Sequence, residues 1–273
     1  MTIASMRKTT ITDRHPVLET NLPVWGSRFA GIIEPVVTAP TFVIRQPSAQ
    51  RFGLKDYEQA GILSRKGDPR NRIRKQMEFL EAVEGLSHRE VIEKAIQERR
   101  NIVLVGSTGA GKTTLGNAIL AGIADLTPHD RVIVIEDTPE LQCALPNYVA
   151  LRATRAANEA KLLETALRLI PKRIVVGEVR SSEPARVLLE AWSTGHSGGL
   201  ATIHADDALS GLRKLESFLG SHEGVVRERI ASAIGLVIFI DGDESVPAGR
   251  KVRQVVAMRG FDLARQDYEL LHL

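Results

Sequence analysis

Apolar runs alternate with amphipathic stretches along the second half of the chain. From Asn101 onward, short runs that are apolar throughout are separated by segments with helical spacing. Continuously apolar runs are typical of parallel strands that are covered on both faces. The predicted strands are NIVLVG, RVIVIED, RIVVGE, GLATIH, GLVIFID, KVRQVVAMRGF and DYELLHL. The pattern therefore predicts an α/β fold with a parallel sheet.

Helices fill the gaps between these strands. We predict them from Lys112 to about Ile123, over Glu159–Leu169, from Glu183 to about Trp192, and over Ala208–Leu219. The longest apolar run, IASAIGLVIFI at Ile230–Ile240, has 11 residues. A helix that spans a bilayer needs about 20, so we interpret this run as a buried strand.

The chain before Asn101 has a different character. Up to Gln50 it is rich in proline and β-branched residues, which predicts short strands and turns. Between Leu54 and Arg100 the pattern is helical and strongly charged. We therefore divide the chain into a small N-terminal α+β domain over 1–60, a basic helical linker over 61–98, and the α/β domain over 99–273.

The composition restricts the class of protein. Hydrophobic residues make up 43% of the chain and charged residues 25%, as in soluble globular proteins. The single cysteine, Cys143, excludes an internal disulfide and a zinc site of several thiolates. The N-terminus lacks the apolar centre of a secretory signal. We expect a cytoplasmic protein.

The charge balance is only mildly basic, at +3, so we do not expect direct DNA binding. One basic cluster lies between Arg65 and Lys75. It is interpreted either as a solvated linker or helix face, or as a contact to an acidic membrane surface or partner.

The stretch GSTGAGKT, from Gly106 to Thr113, matches the phosphate-loop pattern G-x-x-x-x-G-K-[ST]. A predicted strand precedes it and a predicted helix follows, which is the context that the pattern requires. Glycines let consecutive backbone N–H groups face the phosphates, and the helix N-terminus adds positive potential. Lys112 should reach the β- and γ-phosphates, and Thr113 should ligate Mg²⁺. The residues predicted to bind nucleotide here are Gly106, Ser107, Thr108, Gly109, Ala110, Gly111, Lys112, Thr113 and Thr114.

Two glutamates end predicted strands and would face the same crevice as this loop. Glu178 ends the apolar strand RIVVGE, and Glu136 ends RVIVIED. In phosphate-loop proteins such acids hold Mg²⁺ or orient the attacking water. One of the two could polarise water while the other serves the metal, although capping or salt-bridged acids would give the same pattern. We predict that Glu136 and Glu178 are both catalytic.

Two histidines lie in the stretch STGHSGGLATIH. His204 ends a predicted strand on the expected side of the sheet, where it could donate a hydrogen bond to the γ-phosphate and sense its presence. A structural role is the alternative for His204, and for His196 a structural and a functional role both stay open. We include His204 among the catalytic residues.

Four stretches resemble the boxes of the secretion ATPases of type II and type IV systems. They are GSTGAGKTT (Walker A), VIEDTPEL (Asp box), IVVGEVR (Walker B) and TGHSGGLATIHADDA (His box). The chain is most similar to the VirB11-type branch, and within it to the Trb-type conjugal-transfer ATPases. The phrases RHPVLETNLPVWGSRFAGIIEPVVTAPTFVIRQP and LRATRAANEA resemble that group in particular.

The resemblance implies a RecA-like phosphate-loop ATPase core, ATP and Mg²⁺, and a hexameric ring in which the N-terminal and core domains enclose the nucleotide. It implies that Glu136 is the Asp-box carboxylate that activates water, and that Glu178 is the Walker B acid, which binds the metal with Thr113. It also implies that Arg45 lies near the nucleotide cleft, and that Arg152 and Arg155 contact the γ-phosphate or a neighbouring subunit. Implied partners are inner-membrane proteins of a secretion channel, with peripheral membrane association. Family members have more residues before the segment that matches Arg14, so we expect a truncated N-terminal domain.

The leading hypothesis is an ATPase that powers conjugal DNA transfer or pilus assembly through a type IV secretion system. A pilus-extension or type II secretion motor is an alternative, but those branches commonly carry a four-cysteine metal loop. A RecA-like nucleic-acid motor and a scaffolding protein that binds nucleotide without turnover are further alternatives.

Overall fold

The structure is a computed structural model that describes residues 3–6, 8–23, 26–63, 72–220 and 223–273. Its helices are α1 (Ile3–Met6), α2 (Leu54–Gln59), α3 (Arg72–Val83), α4 (His88–Gln97), α5 (Lys112–Leu126), α6 (Glu159–Ala166), α7 (Ser182–Ser193), α8 (Ala208–Leu219) and α9 (Glu223–Ala233). Its strands are β1 (Val17–Asn21), β2 (Arg28–Ile32), β3 (Thr41–Arg45), β4 (Ile102–Val105), β5 (Val132–Glu136), β6 (Tyr148–Arg152), β7 (Arg173–Val176), β8 (Leu200–Ile203), β9 (Leu236–Gly242), β10 (Arg250–Asp262) and β11 (Asp267–His272). A 3-10 turn, Leu167–Leu169, follows α6.

The larger sheet confirms the predicted α/β fold. Within the described residues its strand order is β11-β10-β9-β4-β8-β7-β5-β6. Six strands, β9, β4, β8, β7, β5 and β6, are mutually parallel. Beyond β9, β10 and β11 extend the sheet as antiparallel strands. Parallel strands deliver their carboxyl ends to one edge of a sheet. The ends of β4, β5, β7 and β8 therefore meet at the same edge.

Residues along each central strand alternate between two hydrophobic clusters. Val103 and Val105 pack into a cluster with α6, α7 and α8, whereas Ile102 and Leu104 pack into a cluster with α3, α4 and α5. Side chains of a strand point alternately to opposite faces. The sheet is therefore covered on both faces, which explains why the strands read as continuously apolar.

The smaller sheet, of β1, β2 and β3 in antiparallel order, is formed by the N-terminal part of the chain. Ile32 and Val36 belong to the same cluster as α6 and α7. The backbone N–H of Arg152 donates to the Val36 carbonyl over 2.7 Å, and Arg168 pairs with Glu19 at 3.0 Å. These contacts fix the small sheet against the α6 side of the core.

The segment predicted as a basic linker includes two helices that pack on the core. Phe79 and Val83 of α3, and Val91 and Ile96 of α4, are buried in the cluster beneath β4. The boundaries 1–60, 61–98 and 99–273 stay a prediction. Of the basic cluster predicted between positions 65 and 75, the residues from 65 to 71 lie outside the described ranges.

Two sequence-based interpretations need correction. Ile230–Ile240 is not one strand: α9 ends at Ala233, Gly235 follows, and β9 begins at Leu236. Burial of both halves makes the whole run apolar, so composition alone could not separate helix from strand. The edge strand β6, half exposed and not continuously apolar, was not predicted. No helix in the described ranges has the length and apolar character needed to cross a membrane.

Candidate nucleotide site

The phosphate loop connects the end of β4 to the start of α5. Gly109 and Gly111 have φ angles of +79° and +99°, which residues with a side chain rarely adopt. Gly111 is the residue that caps α5, and Lys112 is the first residue of this helix. The loop therefore curls around a helix N-terminus, as phosphate binding requires.

The ammonium group of Lys112 lies against the loop. Its Nζ donates to the carbonyl oxygens of Gly106 and Ser107, each over 2.8 Å. Burial lowers the pKa of Lys112; the negative charge of Glu178 opposes this shift and the positive charge of Lys214 adds to it. Lys112 and Glu178 are therefore close enough for their charges to interact.

A cavity of about 440 Å³ joins this loop to the ends of β5 and β7. Its lining includes Thr108, Gly109, Gly111, Lys112, Thr113, Thr114, Glu136, Glu178 and Thr202. The structure thus brings the loop and both predicted glutamates together. Gly106, Ser107 and Ala110 belong to the same loop without lining the cavity.

Glu136, the last residue of β5, is only 8% exposed. Its Oε1 accepts hydrogen bonds from the backbone N–H groups of Glu140 at 3.0 Å and Leu141 at 2.9 Å. Burial raises the pKa of Glu136, and these two hydrogen bonds oppose the shift. A carboxyl group with a raised pKa in a cleft is a candidate general base.

Glu178 lies two residues beyond β7 and is half-buried. Its Oε2 accepts from Nη2 of Arg180 at 2.9 Å, and Arg180 also pairs with Asp137. One guanidinium therefore neutralises two carboxylates, which reduces the repulsion among the acids around the cavity.

Several residues of the cavity were not predicted. One of them is Glu140, whose Oε2 accepts a hydrogen bond from Thr113 Oγ1 over 3.1 Å. The hydroxyl of Thr202, at the end of β8, donates to the Gly177 carbonyl over 2.6 Å. Asp137, Thr138, Arg180 and Arg250 also line the cavity. Glu140 is the third acidic residue of EDTPEL, four positions after Glu136, and this closeness was a usable signal. Nothing in the sequence relates Arg250 to the loop.

The predicted histidines lie outside this cavity. His204 directly follows β8 and is half-buried, and its carbonyl accepts from Lys214 Nζ at 2.8 Å. His196 Nδ1 contacts the Pro171 carbonyl at 3.1 Å. Because Pro171 precedes β7, His196 lies at the sheet edge opposite the phosphate loop.

The three predicted arginines also lie outside the cavity. Arg152 Nε is 3.4 Å from the Asp137 carbonyl, in the loop that follows β5. Arg155 lines a neighbouring open depression with Glu159 and Ser181. Arg45 lines a separate cavity, bordered by the 3-10 turn after α6, that shares no residue with the phosphate-loop cavity.

The donor set fits Mg²⁺. Magnesium prefers oxygen ligands and commonly binds one or two carboxylates together with substrate phosphates and waters. Thr113 and Glu178 could supply protein oxygens, with Glu140 beside the threonine hydroxyl. Among the described residues there is no group of three or more His, Cys, Asp or Glu that could hold a metal unaided, so phosphate oxygens and waters would complete the shell.

Comparisons with known proteins identify the class. Residues 70–241 match the family model described as "Type II/IV secretion system protein", and the chain belongs to this family. It is 38% identical over 250 residues to the conjugal transfer protein TrbB of Rhizobium radiobacter, an alignment that covers 91% of this chain and 70% of that protein. It is 32% identical over 242 residues to the type IV secretion system protein VirB11 of Bartonella quintana, covering 81% and 67%.

Solved structures agree. The VirB11 ATPase from the Brucella suis type IV secretion system, crystallised with sulphate, superposes with a TM-score of 0.80 at 28% identity over 93% of this chain and 77% of that one. The pilus retraction motor PilT, at 18% identity and a TM-score of 0.51, shares the fold. The predicted relationship to secretion ATPases, and to the conjugal-transfer proteins among them, is confirmed.

Proposed function

We propose that this chain is an ATPase subunit that hydrolyses ATP with Mg²⁺ to power a type IV secretion or conjugal-transfer apparatus. The observation that carries the proposal is the shared cavity of Lys112, Thr113, Glu136 and Glu178. Lys112 would neutralise the β- and γ-phosphates, and Glu136 would accept a proton from the attacking water. Bound Mg²⁺ would lower the charge repulsion at the phosphates, and Thr113 and Glu178 would hold it.

We propose further that the site is completed by a second copy of the chain in a ring, with six copies as the expected number. Arg45 and Arg28 are directly paired across β3 and β2, and both line the separate cavity near the 3-10 turn. The arginine that stabilises phosphoryl transfer is supplied by the same chain in some proteins and by a neighbouring one in others. Two exposed arginines on one sheet face, in a cavity away from their own phosphate loop, support such a role.

The proposed location is the cytoplasmic side of the inner membrane, against proteins of the secretion channel. The relatives named for type IV secretion and conjugal transfer support this proposal over a pilus or type II motor. The net charge of +3 gives no support to a nucleic-acid motor, for which DNA should stimulate hydrolysis.

Phosphate release from ATP by the purified protein tests the proposed activity. Wild-type protein should turn over ATP in the presence of Mg²⁺. Lys112→Ala should lose most nucleotide affinity and all turnover, because Lys112 is the only lysine of the described residues that lines the cavity. Lys172→Ala, which removes an exposed lysine just before β7, is the matched control and should behave as wild type. Normal hydrolysis by Lys112→Ala would contradict the assignment of the phosphate loop.

A transfer assay tests the proposed biological role. In donor cells, replacing the gene with the Lys112→Ala variant should reduce plasmid transfer to the level of a deletion, while the Lys172→Ala variant should support transfer. Undiminished transfer with Lys112→Ala would show that hydrolysis by this chain does not power the apparatus.

A further inference from the structure

Arg250, the first residue of β10, reaches the phosphate loop from a distant part of the sequence. Its Nη1 lies 3.5 Å from the Thr114 hydroxyl, and its Nε lies 3.4 Å from the Ala248 carbonyl. The side chain also covers Gly111: a methyl group added there would lie 2.6 Å from Arg250 Cδ and 2.7 Å from Nη1. Arg250 therefore lines the cavity directly at the N-terminus of α5.

The strand order defines which end of a nucleotide faces Arg250. Glu178 follows β7 and Glu136 is the last residue of β5. Both strands lie on one side of β4, the strand that leads into the phosphate loop. Arg250 lies on the other side of β4, where it pairs with Gly242 at the end of β9. The acids serve the γ-phosphate, so the opposite side receives the end of the nucleotide that carries the α-phosphate.

The contacts within the loop agree with this direction. Lys112 and Thr113 are the groups that serve the β- and γ-phosphates and Mg²⁺, and backbone N–H groups of the loop cradle the α- and β-phosphates. Arg250 contacts Gly111 and Thr114, which flank those two residues, and its hydrogen bonds go to a hydroxyl and a backbone carbonyl. Its guanidinium would therefore place a positive charge beside the α-phosphate, next to the backbone N–H groups of the loop.

We infer that Arg250 is a nucleotide-positioning residue that binds the α-phosphate of ATP and of ADP from within the same chain. The inference rests on the proposed function. An arginine offers planar, charge-assisted hydrogen bonds to phosphate oxygens. Because ATP and ADP share the α-phosphate, Arg250 contributes to the affinity of both nucleotides equally and does not report the presence of the γ-phosphate.

Binding of a fluorescent nucleotide, displaced in competition by unlabelled ATP or ADP, tests the inference. Arg250→Ala should raise the Kd of ATP and of ADP by the same factor, about 10-fold or more, as expected for loss of a charge-assisted bond. Arg250→Lys should recover part of this loss. The thermal stability without nucleotide should be unchanged, because Arg250 is exposed, and the stabilisation by added ADP should be smaller.

The matched control is Arg253→Ala, which removes the same charge from the same strand. Arg253 pairs with Asp243 at 3.2 Å and does not line the cavity, so its variant should bind both nucleotides as wild type does. Unchanged affinities in Arg250→Ala, tighter binding, or a loss confined to ATP would each overturn the inference. Absence of nucleotide binding by the wild-type protein would instead refute the proposed function.

Discussion

The Thr113 hydroxyl donates a hydrogen bond to Glu140 Oε2 over 3.1 Å. Thr113 is the residue through which a phosphate loop holds Mg²⁺, so Glu140 lies beside the expected position of the metal. Glu140→Gln should therefore raise the Mg²⁺ concentration needed for half-maximal turnover, by about 10-fold. A titration of turnover with Mg²⁺ at saturating ATP measures this. Glu81→Gln, an exposed change on α3, is the control; equal Mg²⁺ dependence in both variants would contradict a role for Glu140.

Glu136→Gln and Glu178→Gln should each retain ATP binding but hydrolyse ATP at least about 100-fold more slowly. That is the usual scale for loss of general-base or metal-orienting assistance. Turnover measured beside binding of a fluorescent nucleotide separates the two effects. If Glu178→Gln hydrolyses ATP at the wild-type rate, Glu178 has no catalytic role and is only a solvated or salt-bridged residue at the end of β7.

The raised pKa of Glu136 predicts the pH dependence of turnover. A general base must be deprotonated, and burial raises the pKa of Glu136 above its ordinary value of 4.5. The active fraction therefore grows as pH rises through the raised pKa, and turnover falls on the acid side at a pH above 4.5. A pH profile of kcat shows this limb. The residual turnover of Glu136→Gln should lack it, and a limb that persists in that variant would assign the titration to another group.

His204→Ala should make the affinities for ATP and ADP more alike. A hydrogen bond to the γ-phosphate exists only while that phosphate is present, so its loss weakens ATP binding selectively. The ratio of the two Kd values is the readout. Because His204 lies outside the cavity in this structure, the prediction requires the loop after β8 to turn toward the nucleotide. An unchanged ratio would assign His204 a structural role.

The sequence predicted the parts of this molecule that depend on local pattern. The apolar strands that lead to Gly106, Glu136 and Glu178 were recognisable because both faces of the sheet are covered. Their convergence followed from the rule that parallel strands end at one edge. The sequence therefore sufficed to bring the phosphate loop and both glutamates into one cavity.

The contacts of the site that the sequence did not predict depend on packing between distant segments. Arg250 meets Thr114 across 136 positions in the sequence, through a strand order that no local pattern encodes. The pairing of Arg180 with both Asp137 and Glu178 likewise requires the register of two neighbouring loops. Arg45 was predicted to lie near the nucleotide, but only the fold revealed that it lines a separate cavity of its own chain together with Arg28.

The separation of Arg45 from Lys112 leads to the central claim, an ATPase site that is shared between two copies of the chain. Arg45→Ala and Lys112→Ala should each be inactive alone. In a mixed ring, an intact phosphate loop from an Arg45→Ala subunit can meet an intact Arg45 from a Lys112→Ala subunit. Phosphate release from the mixture tests the claim most directly. Recovered turnover, well above the sum of the two variants measured separately, is predicted; a mixture as inactive as its components, beside an active wild type, would contradict it.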